Sequence, residues 1–209
     1  MLDQLIGKLR KRGNSNATIN RKMAALSKLL RKAYKMGDVH SLPEFKRQKE
    51  KAGRIRFLDT DEENLLFSEI RAHSELYYRF CLFLVDTGAR LSEGLNLRWG
   101  DIHKDRRAAA AIEASDRRYS GPFAEIDQQR FRIAWHNAKD AVGFADDKDV
   151  VPHVLRHTCA SRLVQGGIDI RRVQMWLGHQ TLTMTMRYAH LASHDLDMCV
   201  PILERAANG

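Results

Sequence analysis

The chain has 209 residues, of which 44% are hydrophobic and 29% are charged, so it can bury one large core together with a smaller module and is not a disordered chain. It contains no apolar run near the roughly 20 residues that span a bilayer, and its amino terminus lacks the basic and apolar regions of a signal peptide, so we expect no membrane partner. Its three cysteines, Cys81, Cys159 and Cys199, lie in apolar patterns that indicate reduced core residues, which is typical of a cytoplasmic protein.

The net charge of +9 is concentrated in the amino-terminal quarter. Residues 1–56 hold sixteen Lys and Arg against four acidic residues, whereas residues 57–209 hold nineteen against twenty-two. We therefore expect the first quarter to bind a polyanion. Nucleic acid is favoured over a membrane surface, because no amphipathic helix here carries large exposed aromatic residues.

Two helices are predicted in this basic quarter, over residues 2–12 and 17–36, with the second capped by Asn14-Ser15-Asn16. The second helix has no Asp or Glu, so its cations lack partners on the same helix, and phosphate binding is favoured over a merely solvated face. Its apolar stripe comprises Ile19, Met23, Leu26, Leu30 and Ala33, and its basic strip comprises Arg21, Lys28, Arg31, Lys32 and Lys35. We assign residues 1–50 to a DNA-binding module, with a linker to about residue 56.

A second domain is predicted over residues 57–209. Thr60 and Glu63 have the spacing of a capping box, and the apolar helix over 75–87 is expected at the centre of the core. Ala109–Ile112 is consistent with a short strand or a helical turn. The other helices are predicted over 61–72, from Arg90 onwards, over 123–142, from Pro152 to Gln165, after the cap at Asp169, over 182–189 and over 193–206.

The spacing of two histidines is typical of a metal site, but the rest of the motif is absent from the sequence. His153 and His157 are four residues apart on a predicted helix, as in zinc proteases, yet Val154 stands where such a site needs its glutamate. His153 and Arg156 instead share one helix face. An imidazole beside a guanidinium can bind a phosphate, although this pair alone is a weak signal.

Four segments together carry a stronger signal. In chain order they are Thr87-Gly88-Ala89-Arg90-Leu91-Ser92-Glu93, His153-Val154-Leu155-Arg156-His157-Thr158, Leu177-Gly178-His179 and Thr185-Met186-Arg187-Tyr188-Ala189-His190. Their order and spacing resemble the sequence boxes of the tyrosine recombinases, the phage-integrase family of site-specific DNA recombinases. The resemblance covers most of residues 57–195.

The resemblance implies a role for each matched residue. Tyr188 would be the nucleophile, Arg90 and Arg156 would bind the scissile phosphate, and His153 and His179 would assist them. Two guanidiniums and imidazole donors would stabilise the charge that grows on the phosphate as a phenolate attacks. A tyrosine with a pKa of about 10 needs such a field and a base, for which His153 is the best candidate. His157 is interpreted as structural support, and Glu93 as orienting the surroundings of Arg90.

The resemblance also implies a fold and partners. The fold would be mainly α with a small β element, namely a partial helical core-binding (SAM-like) module followed by a tyrosine-recombinase catalytic domain. The expected function is cleavage and rejoining of DNA strands through a 3′-phosphotyrosyl intermediate, without a cofactor or metal. The partners would be double-stranded DNA, contacted by the basic strip and Arg172, further copies of the chain in a tetrameric synapse, and accessory DNA-bending or excision factors. The expected location is the cytoplasm, in association with the nucleoid, for a bacterial or phage-encoded protein.

Two departures from the family pattern keep alternatives open. The family places a general-acid lysine on a β-hairpin between the two arginine boxes, and Lys104 is the only lysine between Arg90 and Lys139. The core-binding module is also short, with two clear helices. One alternative is therefore a degenerate, integrase-like DNA-binding protein without full recombinase activity, and another is a nicking enzyme resembling type IB topoisomerases.

Overall fold

The computed structural model describes residues 2–50, 55–102, 109–113 and 115–192. The chain divides into two compact units, Met1–Arg54 and Ile55–Gly209. The mainly α class is confirmed. In the ranges just given there is no β-strand, and no helix is long and apolar enough to cross a membrane.

The first unit is built on two helices, α1 (Leu2–Lys11) and α2 (Asn16–Met36). The side chain of Ser15 accepts a hydrogen bond from the backbone of Thr18 and so begins α2, and Gly37 ends it. The buried core of the unit consists of Ile6, Leu9, Ile19 and Met23. Since α1 has half the length of α2, the apolar stripe of α2 is fully buried only in its first half.

The segment that follows α2 is attached to it over residues 45–50. The Asn20 side chain donates to the backbone oxygen of Gln48 at 2.8 Å and accepts from its backbone N–H at 2.8 Å. The Asn16 side chain donates to the backbone oxygen of Lys49 at 2.7 Å, and Phe45 packs against the core. These contacts order a segment without regular secondary structure.

The second unit begins with α3 (Thr60–His73) and α4 (Glu75–Thr87). The predicted capping box is wrong by one residue, because its first residue is Asp59 rather than Thr60. The Asp59 side chain accepts from the backbone N–H of Glu62, and the Glu62 carboxylate accepts from the backbone N–H of Asp59. Helix α4 lies in the main core, as its apolar sequence predicted.

The middle of the second unit contains α5 (Leu91–Leu95), a 3₁₀ turn (Trp99–Asp101), α6 (Ala109–Glu113) and α7 (Gln128–Ala141). The segment consistent with either a strand or a helical turn is therefore helical. The helix predicted from residue 123 begins later, because the Asp127 side chain caps α7 by accepting from the backbone of Arg130. Phe123 lies in the preceding turn, where its ring is fully buried 4.9 Å from that of Phe80.

The last described elements are α8 (Val154–Gln165), α9 (Ile170–Leu177), α10 (Leu182–Met186) and a 3₁₀ turn (Ala189–Leu191). A second core cluster joins them and includes Val164, Val173, Leu177 and Tyr188. The prediction that Tyr188 lies within an α-helix is wrong, because α10 ends at Met186 and Tyr188 immediately precedes the 3₁₀ turn. The predicted helix over 193–206 lies outside the described residues.

The cysteine prediction can be compared at two of its three positions. Cys81 and Cys159 are both buried with free thiols. Burial raises the pKa of Cys159 to about 11 and that of Cys81 further, so both thiols stay protonated at neutral pH. Cys199 lies outside the described residues. The two buried thiols therefore behave as small core side chains.

Candidate active site

Tyr188 is 1% exposed, and it lines a cavity of about 310 Å³ at the surface of the second unit. Its hydroxyl oxygen lies 2.5 Å from Nδ1 of His157, which projects from the second turn of α8. Burial raises the pKa of Tyr188, while the guanidiniums of Arg187 and Arg156 lower it. The phenol is thus held protonated, with a hydrogen-bond partner in place. The other residues that line the cavity are His153, Arg156, His179, Thr181, Thr183, Met184 and Arg187.

Arg156 is a buried cation that joins three of the sequence boxes. Its Nη1 donates to the backbone oxygen of Gly88 and its Nη2 to that of Leu177, both at 2.6 Å. Two of its five N–H donors are thereby used, so donors remain for an anion in the cavity. The two carbonyl contacts fix the plane of the guanidinium before any substrate arrives.

Gly88 allows this arrangement because of its conformation and its lack of a side chain. It ends α4 with φ of 67°, a conformation that favours glycine. A Cβ atom at this position would lie 2.7 Å from Cδ2 of Leu177 and 3.1 Å from Sγ of Cys159. The close approach brings the backbone oxygens of Gly88 and Leu177 to the same guanidinium.

Arg90 lies at the amino terminus of α5 and is half-buried. Its Nη1 is 2.5 Å from Oε1 of Glu93, whose Oε2 accepts from the Arg90 backbone N–H at 2.7 Å. The structure thus places Glu93 in direct contact with Arg90. Arg90 and His153 also line a neighbouring cavity of about 700 Å³, and the positive charge of Arg90 contributes to lowering the pKa of His153, Arg156 and His179.

His153 and His157 form the imidazole part of the site. Their rings meet edge to face, with centroids 4.8 Å apart. Burial, followed by repulsion from Arg187, Arg156 and the protonated forms of His153 and His179, lowers the pKa of His157 to about 4. Desolvation and neighbouring guanidiniums also lower the pKa of His153. Both rings are therefore neutral at pH 7, and a neutral imidazole can accept a proton.

His179 follows the carboxyl end of α9, and its Nδ1 lies 2.8 Å from the hydroxyl oxygen of Thr185. This contact orients the ring across the cavity from α8. Desolvation and the charges of Arg156 and Arg90 lower the pKa of His179, which is neutral at pH 7 as well. No group of three potential metal ligands lies close together in the part of the chain that the structure describes.

The structure thus brings Arg156, His153, His179 and Tyr188 to one cavity, with Arg90 at the adjoining one. Sequence reasoning missed the contact between His157 and Tyr188, and it assigned no role to Arg187, which lines the same cavity. The four-residue spacing of His153 and His157 was the available signal, because it places both rings on one face of α8.

Lys104 lies outside the described residues. The remaining predicted DNA-binding residues are all exposed, namely the basic strip Arg21, Lys28, Arg31, Lys32 and Lys35 on α2, and Arg172 on α9.

Comparison with known proteins relates this site to one family. The phage integrase family model matches residues 118–194. A protein named as a candidate integrase of Pseudomonas phage Pf1 is 29% identical over 197 residues, which cover 86% of this chain and 59% of that protein. The tyrosine recombinase XerD of Corynebacterium glutamicum is 30% identical over 54% of this chain and 47% of its own length. The chain thus spans about half the length of these curated relatives.

Solved structures agree with this relationship. A bacteriophage lambda integrase bound as a dimer to a core site has the same fold, with a TM-score of 0.75 and 17% identity over 90% of this chain and 78% of that one. The catalytic domain of bacteriophage HP1 integrase is 25% identical, with a TM-score of 0.59, over 70% of this chain and 94% of that domain. In sequence and in fold the chain is thus similar to the phage integrase family, the tyrosine recombinases.

Proposed function

We propose that the chain is a site-specific DNA strand transferase that cleaves and rejoins DNA through a covalent 3′-phosphotyrosyl intermediate on Tyr188. The observation that carries this proposal is the position of the Tyr188 hydroxyl, which is hydrogen-bonded to a neutral histidine in a cavity that also contains Arg156. A phosphodiester in this cavity would meet a nucleophile, a proton acceptor and a fixed cation. These are the components that phosphoryl transfer to tyrosine needs.

Phosphate binding is assigned to the cations and imidazoles around the cavity. Arg156 offers its remaining N–H donors to the non-bridging oxygens, from a plane fixed by the backbone oxygens of Gly88 and Leu177. Arg90, held by Glu93, binds the phosphate from the adjoining cavity, and His153 lies between the two cavities because it lines both. His179 donates to a further oxygen, with its orientation fixed by Thr185. Preorganised donors of this kind favour the transition state over the ground state.

Proton transfer is assigned to His157 rather than to His153. His157 Nδ1 is the atom in contact with the phenol, so its neutral ring accepts the proton as the Tyr188 oxygen bonds to phosphorus. The P–O5′ bond then breaks, and the 5′-oxygen takes up a proton from a general acid. We assign that acid to Lys104, as the only lysine between Arg90 and Lys139. The phosphotyrosyl bond conserves the free energy of the phosphodiester, so rejoining by a 5′-hydroxyl needs no nucleotide cofactor.

Double-stranded DNA is the partner that we assign to the basic strip of α2 and to Arg172. Solved relatives with the same fold are described as bound to DNA, among them lambda integrase on a core site and XerH on a palindromic substrate. We further propose that copies of the chain assemble on DNA as a tetrameric synapse, with accessory bending or excision factors. This arrangement would bring two recombining sites together.

A covalent-adduct assay tests the proposal. DNA sites are first selected by binding from a randomised duplex library, and the selected site is then presented as a nicked duplex whose cleaved fragment diffuses away. We expect a covalent protein–DNA adduct that Tyr188→Phe abolishes and that Tyr119→Phe, at an exposed tyrosine, retains. A tightly bound site that yields no adduct with the unaltered chain would exclude the strand transferase. The degenerate DNA-binding alternative predicts that outcome.

A further inference from the structure

One charged group of the site cavity has no role in the mechanism described above. Arg187 immediately precedes Tyr188 at the carboxyl end of α10, is exposed, and lines the same cavity as Arg156 and His179. Within the described residues it forms no ion pair, whereas Arg90 is paired with Glu93. Arg156 has two donors committed to backbone oxygens. Arg187 is thus the guanidinium of this site that is least occupied by protein partners.

The charge of Arg187 acts on every titratable ring of the cavity. It contributes to lowering the pKa of His153, His157 and His179. Among the charges that lower the pKa of Tyr188 it ranks first, ahead of Arg156. Besides these two arginines, the phenol faces His157 and Cys159 on α8, and both are uncharged at pH 7. No carboxylate therefore offsets Arg187 at the phenol among the groups that act on it.

We propose that Arg187 is a third guanidinium of the active-site cavity, which binds a non-bridging oxygen of the scissile phosphate and stabilises the phenolate of Tyr188. This inference rests on the proposed function. The phenol gives its proton to His157, and its oxygen, now negative, forms the bond to phosphorus while the 5′-oxygen leaves. Arg187 faces negative charge throughout this step, first on the phenolate and then on the phosphoryl oxygens, so it favours the transition state. Its free donors match a phosphate better than an ammonium would.

The first experiment tests, without DNA, whether the positive charge of Arg187 acts on the histidine rings of the cavity. The histidine rings are titrated by NMR between pH 4 and 8 in the unaltered chain and in Arg187→Gln, Arg187→Lys and Arg171→Gln, with signals assigned by single His→Asn changes. Arg171 is an exposed arginine on α9 that lines neither cavity, so its change controls for the loss of one positive charge. We expect higher pKa values for His157 and His179 in Arg187→Gln only. Unchanged values in that variant would overturn the inference.

The second experiment measures cleavage of the selected nicked duplex under single-turnover conditions. Arg187→Gln should form the adduct about 10-fold to 100-fold more slowly at pH 7, with a rate that rises more steeply than that of the unaltered chain up to pH 9, because less phenolate is present. Arg187→Lys should recover part of the rate, and Arg171→Gln should match the unaltered chain. A rate for Arg187→Gln equal to that of Arg171→Gln, or a loss confined to DNA affinity, would overturn the inference.

The two experiments separate this inference from the function on which it rests. If the unaltered chain forms no adduct, the strand-transferase proposal fails. The histidine titration alone then decides whether the positive charge of Arg187 acts on the rings that line the cavity. If the adduct forms and the titration shows no coupling, the function stands and the role of Arg187 is excluded. Each result therefore supports or excludes one of the two statements.

Discussion

The hydroxyl oxygen of Tyr188 lies 2.5 Å from Nδ1 of His157, although the two residues are 31 positions apart and belong to different elements. Burial of both groups disfavours their charged forms, so the phenol and the imidazole are neutral partners at pH 7. A neutral imidazole beside a protonated phenol is the starting state for proton transfer. This contact makes His157 the residue to test for the role that sequence reasoning gave to His153.

Two substitutions at His157 distinguish a role as general base from a role in orienting Tyr188. Asparagine can place a hydrogen-bonding atom near the position of Nδ1 but cannot accept a proton at neutral pH, whereas alanine removes the contact. If His157 is the base, both variants should lower the single-turnover rate of adduct formation by roughly 10²-fold to 10⁴-fold. His40→Asn, in the other compact unit, is the matched control. A wild-type rate in His157→Asn together with a low rate in His157→Ala would show that His157 only orients the tyrosine.

His157 also predicts acid sensitivity of the fold. Its pKa is about 4 in the folded chain, below the reference value of about 6.5, so the unfolded chain binds more protons between these values. The contribution of His157 is therefore fully present above pH 6.5 and is lost as the pH falls towards 4. Between pH 7 and pH 5 the free energy of unfolding should fall by about 2 kcal/mol on this account.

Urea denaturation at the two pH values measures this loss. His157→Asn should lose about 2 kcal/mol less than the unaltered chain on going from pH 7 to pH 5, while His153 and His179 continue to contribute. An identical pH dependence in the variant would mean that His157 titrates near its reference value in the folded chain.

Much of the helical framework could be predicted because local signals determine it. Helix α2 has a serine cap at one end and a glycine at the other, and α4 is a continuous apolar run that ends at Gly88. The predicted bounds of both helices lie within one residue of those observed. Helix starts with several candidate capping residues nearby were predicted less accurately. Asp59 competes with Thr60, and Asp127 begins α7 five residues after the predicted start, since both aspartates accept bonds from the following backbone.

The site was predictable as a set of residues and not as a set of contacts. The spacing of the boxes indicated Arg156 and Tyr188, but hydrogen bonds to the backbone oxygens of Gly88 and Leu177 depend on tertiary packing. The choice between His153 and His157 depends on where the 3₁₀ turn places the phenol. Tyr188 itself was predicted inside a helix, because the helix formers around it gave no sign that α10 ends at Met186.

Gly88 offers a test of how the backbone positions Arg156. Gly88→Ala would place a Cβ atom 2.7 Å from Leu177 Cδ2 at φ of 67°. We expect a loss of about 3 kcal/mol in the free energy of unfolding, from the left-handed conformation and the overlap together. Gly143→Ala is the matched control, because Gly143 has φ of 84° and a Cβ atom there would have no other atom within 4 Å. It should lose only about 1 kcal/mol. Equal losses in urea denaturation would show that Leu177 moves aside without cost.

Lys104 is tested through the leaving group. If Lys104 protonates the 5′-oxygen, Lys104→Ala should slow cleavage of the selected nicked duplex by roughly 10²-fold or more. A substrate with sulfur in place of the bridging 5′-oxygen leaves without needing that proton, so the variant should then cleave at the rate of the unaltered chain. Wild-type cleavage of the ordinary substrate by Lys104→Ala would exclude the role. A deficit that persists with the sulfur substrate would place Lys104 elsewhere in the reaction.

The basic strip of α2 makes a prediction about salt. Lys28, Arg31 and Lys32 are exposed and form no ion pair among the residues that the structure describes. If they contact phosphates, replacing all three with alanine should weaken DNA binding and reduce the slope of log K against log salt by about 0.9 for each lost contact. The matched control replaces Arg47, Arg71 and Arg118, three exposed arginines already paired with Glu50, Glu75 and Asp116. The control removes the same net charge and should leave the slope nearly unchanged. Equal slopes in the two triple variants would show that the basic strip faces solvent and that DNA is bound by other cations of the chain.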